Sequence, residues 1–278
     1  MKISILTENT VYKRGLLGEH GLSLLIETEG SRYLFDTGQS DVFLHNAAKL
    51  QLPLQELDGV ILSHGHYDHC GGMEKLPQQK KEVPVYIQKK AFEKKYAENF
   101  KTGELRYIGL EKTERWPQWA KIHKLQGGCN EISAGVYLLS EIPYITEFEP
   151  LPKGFWKDSE QSYSPELLAD TMEDEQLLVM ESEAGLCVFA GCAHPGMINC
   201  LRHVQSVFPN AHIHSLVAGM HLKGCGIERV QKTILALQEM KIDHIIPLHC
   251  TGIRAIAAIR EALGSCCILA EAGKRIEL

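Results

Sequence analysis

No apolar run in this 278-residue sequence approaches the roughly 18 residues that a membrane-spanning helix needs, so no membrane partner is expected. The opening stretch, MKISILTENTVYKRG, is too short and too polar for a secretory signal. The cysteines number nine, an odd count, with no CxxC pair and no disulfide-framework spacing. Reduced core thiols and a cytoplasmic location are therefore expected. An excess of positive charge is also missing: 29 basic residues against 35 acidic ones leave a net charge of −6. A bulk electrostatic hold on nucleic acid is not expected, although a local basic patch stays open. No GxxxxGK[ST] loop and no complete GxGxxG occur, so a nucleotide cradle has no support. The GxSxG elbow of serine hydrolases is absent too.

What remains is ordinary in bulk and unusual in one respect. Hydrophobic residues at 44% and charged residues at 23% fit a globular chain that can build a core without staples. Disorder, collagen and coiled coil are excluded by the same figures. The length suits one large domain or two small ones. Thirteen histidines are many, and they cluster next to an acid.

Alternation at Lys2–Leu6, the apolar run Leu22–Thr28 and the return Ser31–Phe35 about a Glu29-Gly30-Ser31 turn predict strands and a hairpin. Val42, Phe43, Ala47 and Leu50 predict a helix over Asp41–Leu50. Gly59–Leu62 is a short buried strand that runs into a histidine-rich loop, and Val83–Ile87 is another strand. From about 88 to 124 the composition shifts to lysine, glutamate and aromatics, which predicts an inserted helix and loop whose lysines form a solvated face. Val136–Leu139 is a strand. The stretch from about 140 to 171 holds four prolines and five aromatics, among them Phe155, Trp156 and Tyr163. It is either a packed surface loop or a substrate-facing lid. In the second half, Gln176–Glu181 and Leu186–Ala190 predict a hairpin. Helices carrying Ile198, Leu201 and Val204, then Ile227, Val230, Ile234 and Leu237, then Ile253, Ile256 and Ile259 alternate with strands His214–Ala218 and His244–Leu248. The tail Cys267–Leu278 has room for two short strands. The pattern predicts an α/β domain over 1–278 with two sheets packed face to face and helices outside.

The loop after Gly59–Leu62 reads Ser63-His64-Gly65-His66-Tyr67-Asp68-His69-Cys70-Gly71-Gly72, an HxHxDH pattern. In extended chain, residues two apart point to the same side, so His64 and His66 can grip one ion together. Gly65 lets the backbone pass without a clash. Asp68 and His69 follow a turn and aim at a neighbouring point. Imidazole and carboxylate are donors that zinc prefers, and four of them in six residues can start two adjacent sites.

This motif resembles the signature of the metallo-β-lactamase superfamily. Leu34-Phe35-Asp36-Thr37-Gly38 resembles the family's strand-end DTG. Ala190-Gly191-Cys192-Ala193-His194-Pro195-Gly196, Ala218-Gly219-Met220-His221-Leu222 and Pro247-Leu248-His249-Cys250-Thr251-Gly252 resemble its subgroup named for 7,8-dihydropterin-6-methyl-4-(β-D-ribofuranosyl)aminobenzene-5′-phosphate synthase. The resemblance implies a four-layer αββα sandwich of two mixed sheets with the metal site at one edge. It implies His64 and His66 on the first metal, Asp68 and His69 on the second, and His249 as the late histidine. The family's GD pair is replaced by Gly191-Cys192, so either Cys192 supplies a thiolate at the bridging place or His194 reaches the metals, with His194 the better placed because neutral imidazole needs no deprotonation. His221 is a ligand or a donor to the leaving group, and Asp36 orients a ligand histidine rather than binding an ion. Glu8, Asn9 and His20 sit at strand ends that can face the site, and serve equally well as hydrogen-bonded loop residues.

The expected activity is a metal-dependent hydrolase with Zn2+, or Mn2+ or Fe2+, in one or two positions. A metal-bound hydroxide would attack a small phosphate ester or other ester-type substrate, and the subgroup name points toward a pterin. Asp68 would orient the nucleophile and His221 would stabilise the developing oxyanion. Two other readings stand beside it. Di-iron redox relatives typically carry Glu where His66 stands, and a non-catalytic metal- or ligand-binding protein would retain the motif without turnover.

Overall fold

A computed structural model describes residues 1–110, 113–158 and 167–278. Its N-terminal sheet has seven strands in the order Arg275–Glu277, Lys2–Thr7, Ser23–Glu27, Arg32–Phe35, Gly59–Ile61, Val83–Gln88 and Ala120–Leu125. The first four pair antiparallel, and the last three continue parallel from Arg32–Phe35. The second sheet has six strands, ordered His244–Leu248, Ile213–Gly219, Gly185–Ala190, Leu177–Ser182, Val136–Leu139 and Cys129–Ser133.

Side-chain alternation explains the layering. Ile3, Ile5, Leu24, Ile26 and Phe35 face Leu178, Met180, Phe189, Val217 and Ile246, forming a core between the sheets. The intervening Leu6, Leu25 and Leu34 turn outward onto Phe43 and Ala47 of α1 (Val42–Lys49). On the far side, Leu177, Val179, Leu186 and Val188 pack on Ile198 and Leu201 of α3 (Met197–Val207; α2 is the short turn Tyr67–Cys70), on Ile234 and Leu237 of α4 (Ile227–Met240), and on Ile259 of α5 (Ile253–Leu263). Three apolar layers between four structural ones make an αββα sandwich. Both faces of the central strands are buried, which is why those segments read as continuous apolar runs.

The segment from 88 to 124 departs from its predicted helix. A third sheet takes its place, with strands ordered Leu167–Ala169, Phe155–Asp158, Lys95–Glu98 and Leu105–Tyr107. The reason lies in Lys95, which is fully buried rather than on a solvated face: its Nζ sits 2.9 Å from Asp170 and 3.0 Å from Asp174. Only pairing with these distant carboxylates makes that burial tolerable. The same sheet absorbs part of the 140–171 stretch; Tyr163 and Pro165, within 159–166, lie outside the described residues. In the tail, one strand forms at Arg275–Glu277, and Cys267 makes a single bridge to Ile245. All nine cysteines are unpaired. No helix among the described residues is long and apolar enough to cross a membrane.

Candidate metal centre

The centre forms where strand ends of the two large sheets meet. From the N-terminal sheet, the chain leaves Ile61, bends at His64–Gly65, and enters α2 only at Tyr67. His64 Nε2 and His66 Nδ1 therefore face each other at 3.0 Å, close to the ~3.3 Å edge of a tetrahedron with nitrogen about 2.0–2.1 Å from zinc. Between them, a Cβ on Gly65 would overlap the Ala91 carbonyl, so only glycine fits. Asp68 and His69 lie in the single turn of α2, both buried.

The second sheet supplies the rest. Cys192 and His194 follow the strand Gly185–Ala190, His221 follows Ile213–Gly219, and His249 follows His244–Leu248. A Cβ on Gly191 would overlap the Ser63 hydroxyl, so the two sheets approach here through glycine. Cys192 Sγ reaches 3.2 Å from His69 Nε2. Donor atoms of His64, Cys192 and His194 lie within 4.8 Å of one another, and so do those of His69, Cys192 and His249. Asp68 Oδ2 is 3.4 Å from His249 Nε2 and 3.9 Å from His69 Nε2. Four non-glycine residues around the cluster, Asp36, Ala193, His221 and His249, hold positive φ angles of 46° to 56°. Each costs roughly 1–2 kcal/mol, and strain of this kind concentrates at functional sites.

The donor set fits a bound cation. His69 Nδ1 rests on Asp36 Oδ2 at 2.6 Å, His194 Nδ1 on Glu175 Oε2 at 2.7 Å and His249 Nδ1 on Asn9 Oδ1 at 2.8 Å. Each acceptor fixes a proton on Nδ1 and turns Nε2 toward the cluster. Ser63 Oγ donates to Asp36 at 2.7 Å and sits 2.9 Å from His64 Nδ1, imposing the same tautomer there. Nε2 of His249 is buried with no hydrogen-bond partner among the described residues, as expected where an ion completes the site.

Burial pushes His64 and His66 well below the ordinary imidazole range, so both stay neutral and able to ligate. In His69 burial opposes the charge, but the carboxylates of Asp36 and Asp68 outweigh it and raise the group to about 9. Burial also opposes ionisation of Asp68, yet His69, His20 and His249 hold it well below the carboxylate range. Burial pushes the Cys192 thiol well above its usual value.

The structure thus brings His64, His66, Asp68, His69, Cys192, His194 and His249 together. Asp36 contacts His69 and Ser63, beside the cluster. His221 lies at its side, with its ring 4.6 Å from that of His194. Both sequence alternatives for the later position, Cys192 and His194, face the cluster. Three participants went unnoticed in the sequence: Glu175, which also accepts from the backbone N–H of Ala193 at 3.0 Å; Cys250, whose sulfur accepts the His221 N–H at 3.3 Å; and Asp174, which accepts the Gly65 N–H at 2.8 Å. Cys250 adjoins His249 in sequence, a signal that was available; the two acids carried none. Phe155, from the aromatic-rich stretch, stacks on His66 at 5.9 Å and 18° and covers His194 edge-on.

Two mixed sheets between helices, with a histidine, acid and thiol cluster at their strand ends, define the fold of metal-dependent hydrolases. The metallo-β-lactamase superfamily model matches residues 17–177, and the chain belongs to that superfamily, whose fold implies divalent-metal binding. It is 30% identical over 269 residues to the 7,8-dihydropterin-6-methyl-4-(β-D-ribofuranosyl)-aminobenzene-5′-phosphate synthase of Methanocaldococcus jannaschii, covering 92% of this chain and 89% of that one. An uncharacterized protein of the same organism is 28% identical, covering 93% and 94%. Among solved structures, Tm1679, described as a metal-dependent hydrolase of the β-lactamase superfamily, superposes with a TM-score of 0.86 at 32% identity, over 100% of this chain and 99% of that one.

Proposed function

We propose that the protein is a metal-dependent hydrolase of a small ester-type substrate, a phosphate ester foremost. His64, His66 and His194 would hold one ion, Asp68, His69 and His249 a second, with Cys192 between them. The observation that carries this reading is the Cys192 sulfur common to the His64–His194 and His69–His249 donor clusters, with His221 and Cys250 in a third set around the same sulfur. A mixed nitrogen, oxygen and sulfur set suits zinc, with Mn2+ and Fe2+ as the other candidates. When bound, such ions act as Lewis acids toward water and substrate oxygen.

The chain's own residues do the remainder. Asp36, Glu175, Ser63 and Asn9 orient the histidines. Asp68 accepts a hydrogen bond from the attacking water and so orients it. His221, with a buried Nδ1 that has no partner among the described residues, donates to the substrate oxygen that gathers charge. Phe155 keeps water from the His66 side and offers a flat face to a ring. The name of the Methanocaldococcus jannaschii relative supports a pterin-like, phosphate-bearing ligand. A reducing compartment, the cytoplasm, suits nine unpaired cysteines.

The test is a turnover screen of zinc- and manganese-loaded protein against phosphomonoesters, phosphodiesters, carboxylic esters and lactones. Hydrolysis of one class, lost in His66→Ala, is the expected result. Stoichiometric metal with no turnover of any class overturns the reading. A second reading, transfer to an acceptor other than water, is favoured by the relative's name as a synthase. Reaction in oxygen-18 water separates the two, because only hydrolysis labels the product.

A further inference from the structure

The loop that precedes the second strand brings one more histidine to the centre. His20 Nε2 lies 3.1 Å from Asp68 Oδ2, its ring is 4.9 Å from that of His249, and its side chain is 44% exposed. By proximity alone His20, Asp68 and His249 form a further set of possible metal donors. The hydrogen bonds argue otherwise.

Asn9 stands between the two histidines. Its Oδ1 lies 2.8 Å from His249 Nδ1 and its Nδ2 lies 3.3 Å from His20 Nδ1. The backbone N–H of Gly21, which can only donate, points at Oδ1 from 3.4 Å and fixes which way the amide faces. An amide oxygen only accepts, so His249 carries its proton on Nδ1 and keeps a lone pair on Nε2. An amide nitrogen only donates, so His20 keeps its lone pair on Nδ1 and carries its proton on Nε2. That proton is the one directed at Asp68. His64, His69 and His194 all rest Nδ1 on an oxygen acceptor, as His249 does. His20 alone rests on a donor.

We infer that the Asn9 amide sorts two neighbouring histidines into opposite roles, His249 as a metal ligand through Nε2 and His20 as a hydrogen-bond donor through Nε2–H to the leaving oxygen of the substrate. The inference rests on the hydrolase reading above. The His20 side chain is 44% exposed against 9% for Asp68, so its Nε2–H lies on the solvent side of that carboxylate, and the leaving oxygen is assigned to that side. It donates and retains its proton throughout, so no transfer step is involved. Asn9 is a positioning residue that acts through both rings.

Protein labelled with nitrogen-15 histidine and loaded with cadmium-113 provides the test, with tautomers and metal contacts read from long-range nitrogen–proton and nitrogen–cadmium couplings. Expected is a cadmium coupling to His249 Nε2, none to His20, and a proton on His20 Nε2. In Asn9→Asp both side-chain oxygens accept, so the His20 proton moves to Nδ1 and its Nε2 gains a cadmium coupling. Cadmium coupling to His20 in the unaltered protein, or an unchanged His20 tautomer in Asn9→Asp, overturns the inference. If Asn9→Asp does not fold, the spectrum of the unaltered protein decides. With a substrate from the screen, His20→Ala loses kcat on the order of 100-fold, the scale for one transition-state donor, at unchanged metal content, while His20→Gln, which keeps an N–H donor, recovers most of it. Equal loss in both variants also overturns the role. The spectra need no turnover, so failure of the hydrolase reading leaves them interpretable.

Discussion

His69 Nδ1 and Asp36 Oδ2 are 2.6 Å apart, and neither side chain has any exposed surface. Asp36 simultaneously accepts the Ser63 backbone N–H at 2.7 Å and the Ser63 hydroxyl at 2.7 Å. One carboxylate thereby orients His69 directly and His64 through the hydroxyl, one histidine for each proposed ion. Replacing Asp36 with Ala should lower metal affinity roughly 10–100-fold, the usual cost of losing a partner behind a ligand histidine. Competition against a chromophoric chelator measures it. Affinity unchanged in Asp36→Ala would show that the pair serves folding alone.

The raised His69 sets a pH dependence. With the group at about 9 in the ion-free protein, a cation at pH 7 must displace its Nε2 proton. The His69 proton alone should make affinity climb about tenfold per pH unit from 7 toward 9, and a thiol proton lost from Cys192 adds to that slope. Calorimetry in buffers of different ionisation enthalpy should register proton release. Stability of the ion-free protein moves the other way. A group raised on folding stabilises fully below its ordinary value of 6.5 and loses that contribution as pH rises through about 9. Thermal unfolding in chelator should fall across that window, and metal-loaded protein should not follow it.

The parts legible in the sequence are those written in contiguous residues. HxHxDH states its chemistry within six positions, and Leu24 through Ile26 state a doubly buried strand. Glu175 and Asp174 were invisible because an acid before a strand has no local signature; each gains its role from a backbone or ring far away in the chain. Lys95 misled for the same reason. A lysine-rich run predicts a solvated helix until two carboxylates 75 and 79 positions later make a buried strand lysine tolerable. Periodicity reports which face is apolar, not which distant charge will neutralise a buried one.

That buried lysine carries a prediction of its own. Lys95 ties Asp170 and Asp174 together, and Asp174 holds the Gly65 N–H between the two motif histidines. Lys95→Met strands two carboxylates in the interior, and breaking a buried pair in this way costs roughly 3–5 kcal/mol. Urea unfolding should show that loss, together with weaker metal binding as the His64–His66 loop loosens. In the unaltered protein burial opposes ionisation of Asp174, but Lys95 and His66 prevail and hold it at about 2. A carboxylate depressed on folding stabilises above its ordinary value near 3.8 and loses that contribution as pH falls toward 2. The acid limb of the stability curve should be shallower in Lys95→Met.

Cys192 decides whether the two proposed ions share a ligand. Its sulfur belongs to both main donor clusters, yet burial and the neighbouring Cys250 keep it a thiol in the ion-free protein. Cation binding must expel that proton too, and the resulting thiolate gives cobalt-loaded protein a sulfur-to-metal charge-transfer band in the near ultraviolet. Cys192→Ser should abolish the band and reduce the bound cobalt from two ions toward one. Cys192→Asp should also abolish it but retain both ions, because a carboxylate can bridge where the thiolate did. Cys250 is the rival position: its sulfur accepts the His221 backbone N–H, lies 3.6 Å from the Cys192 carbonyl and forms a third donor set with Cys192 and His221. Cys250→Ser should leave the band in place. If Cys250→Ser removes the band and Cys192→Ser does not, the shared position belongs to Cys250 and the two-cluster assignment around Cys192 is wrong.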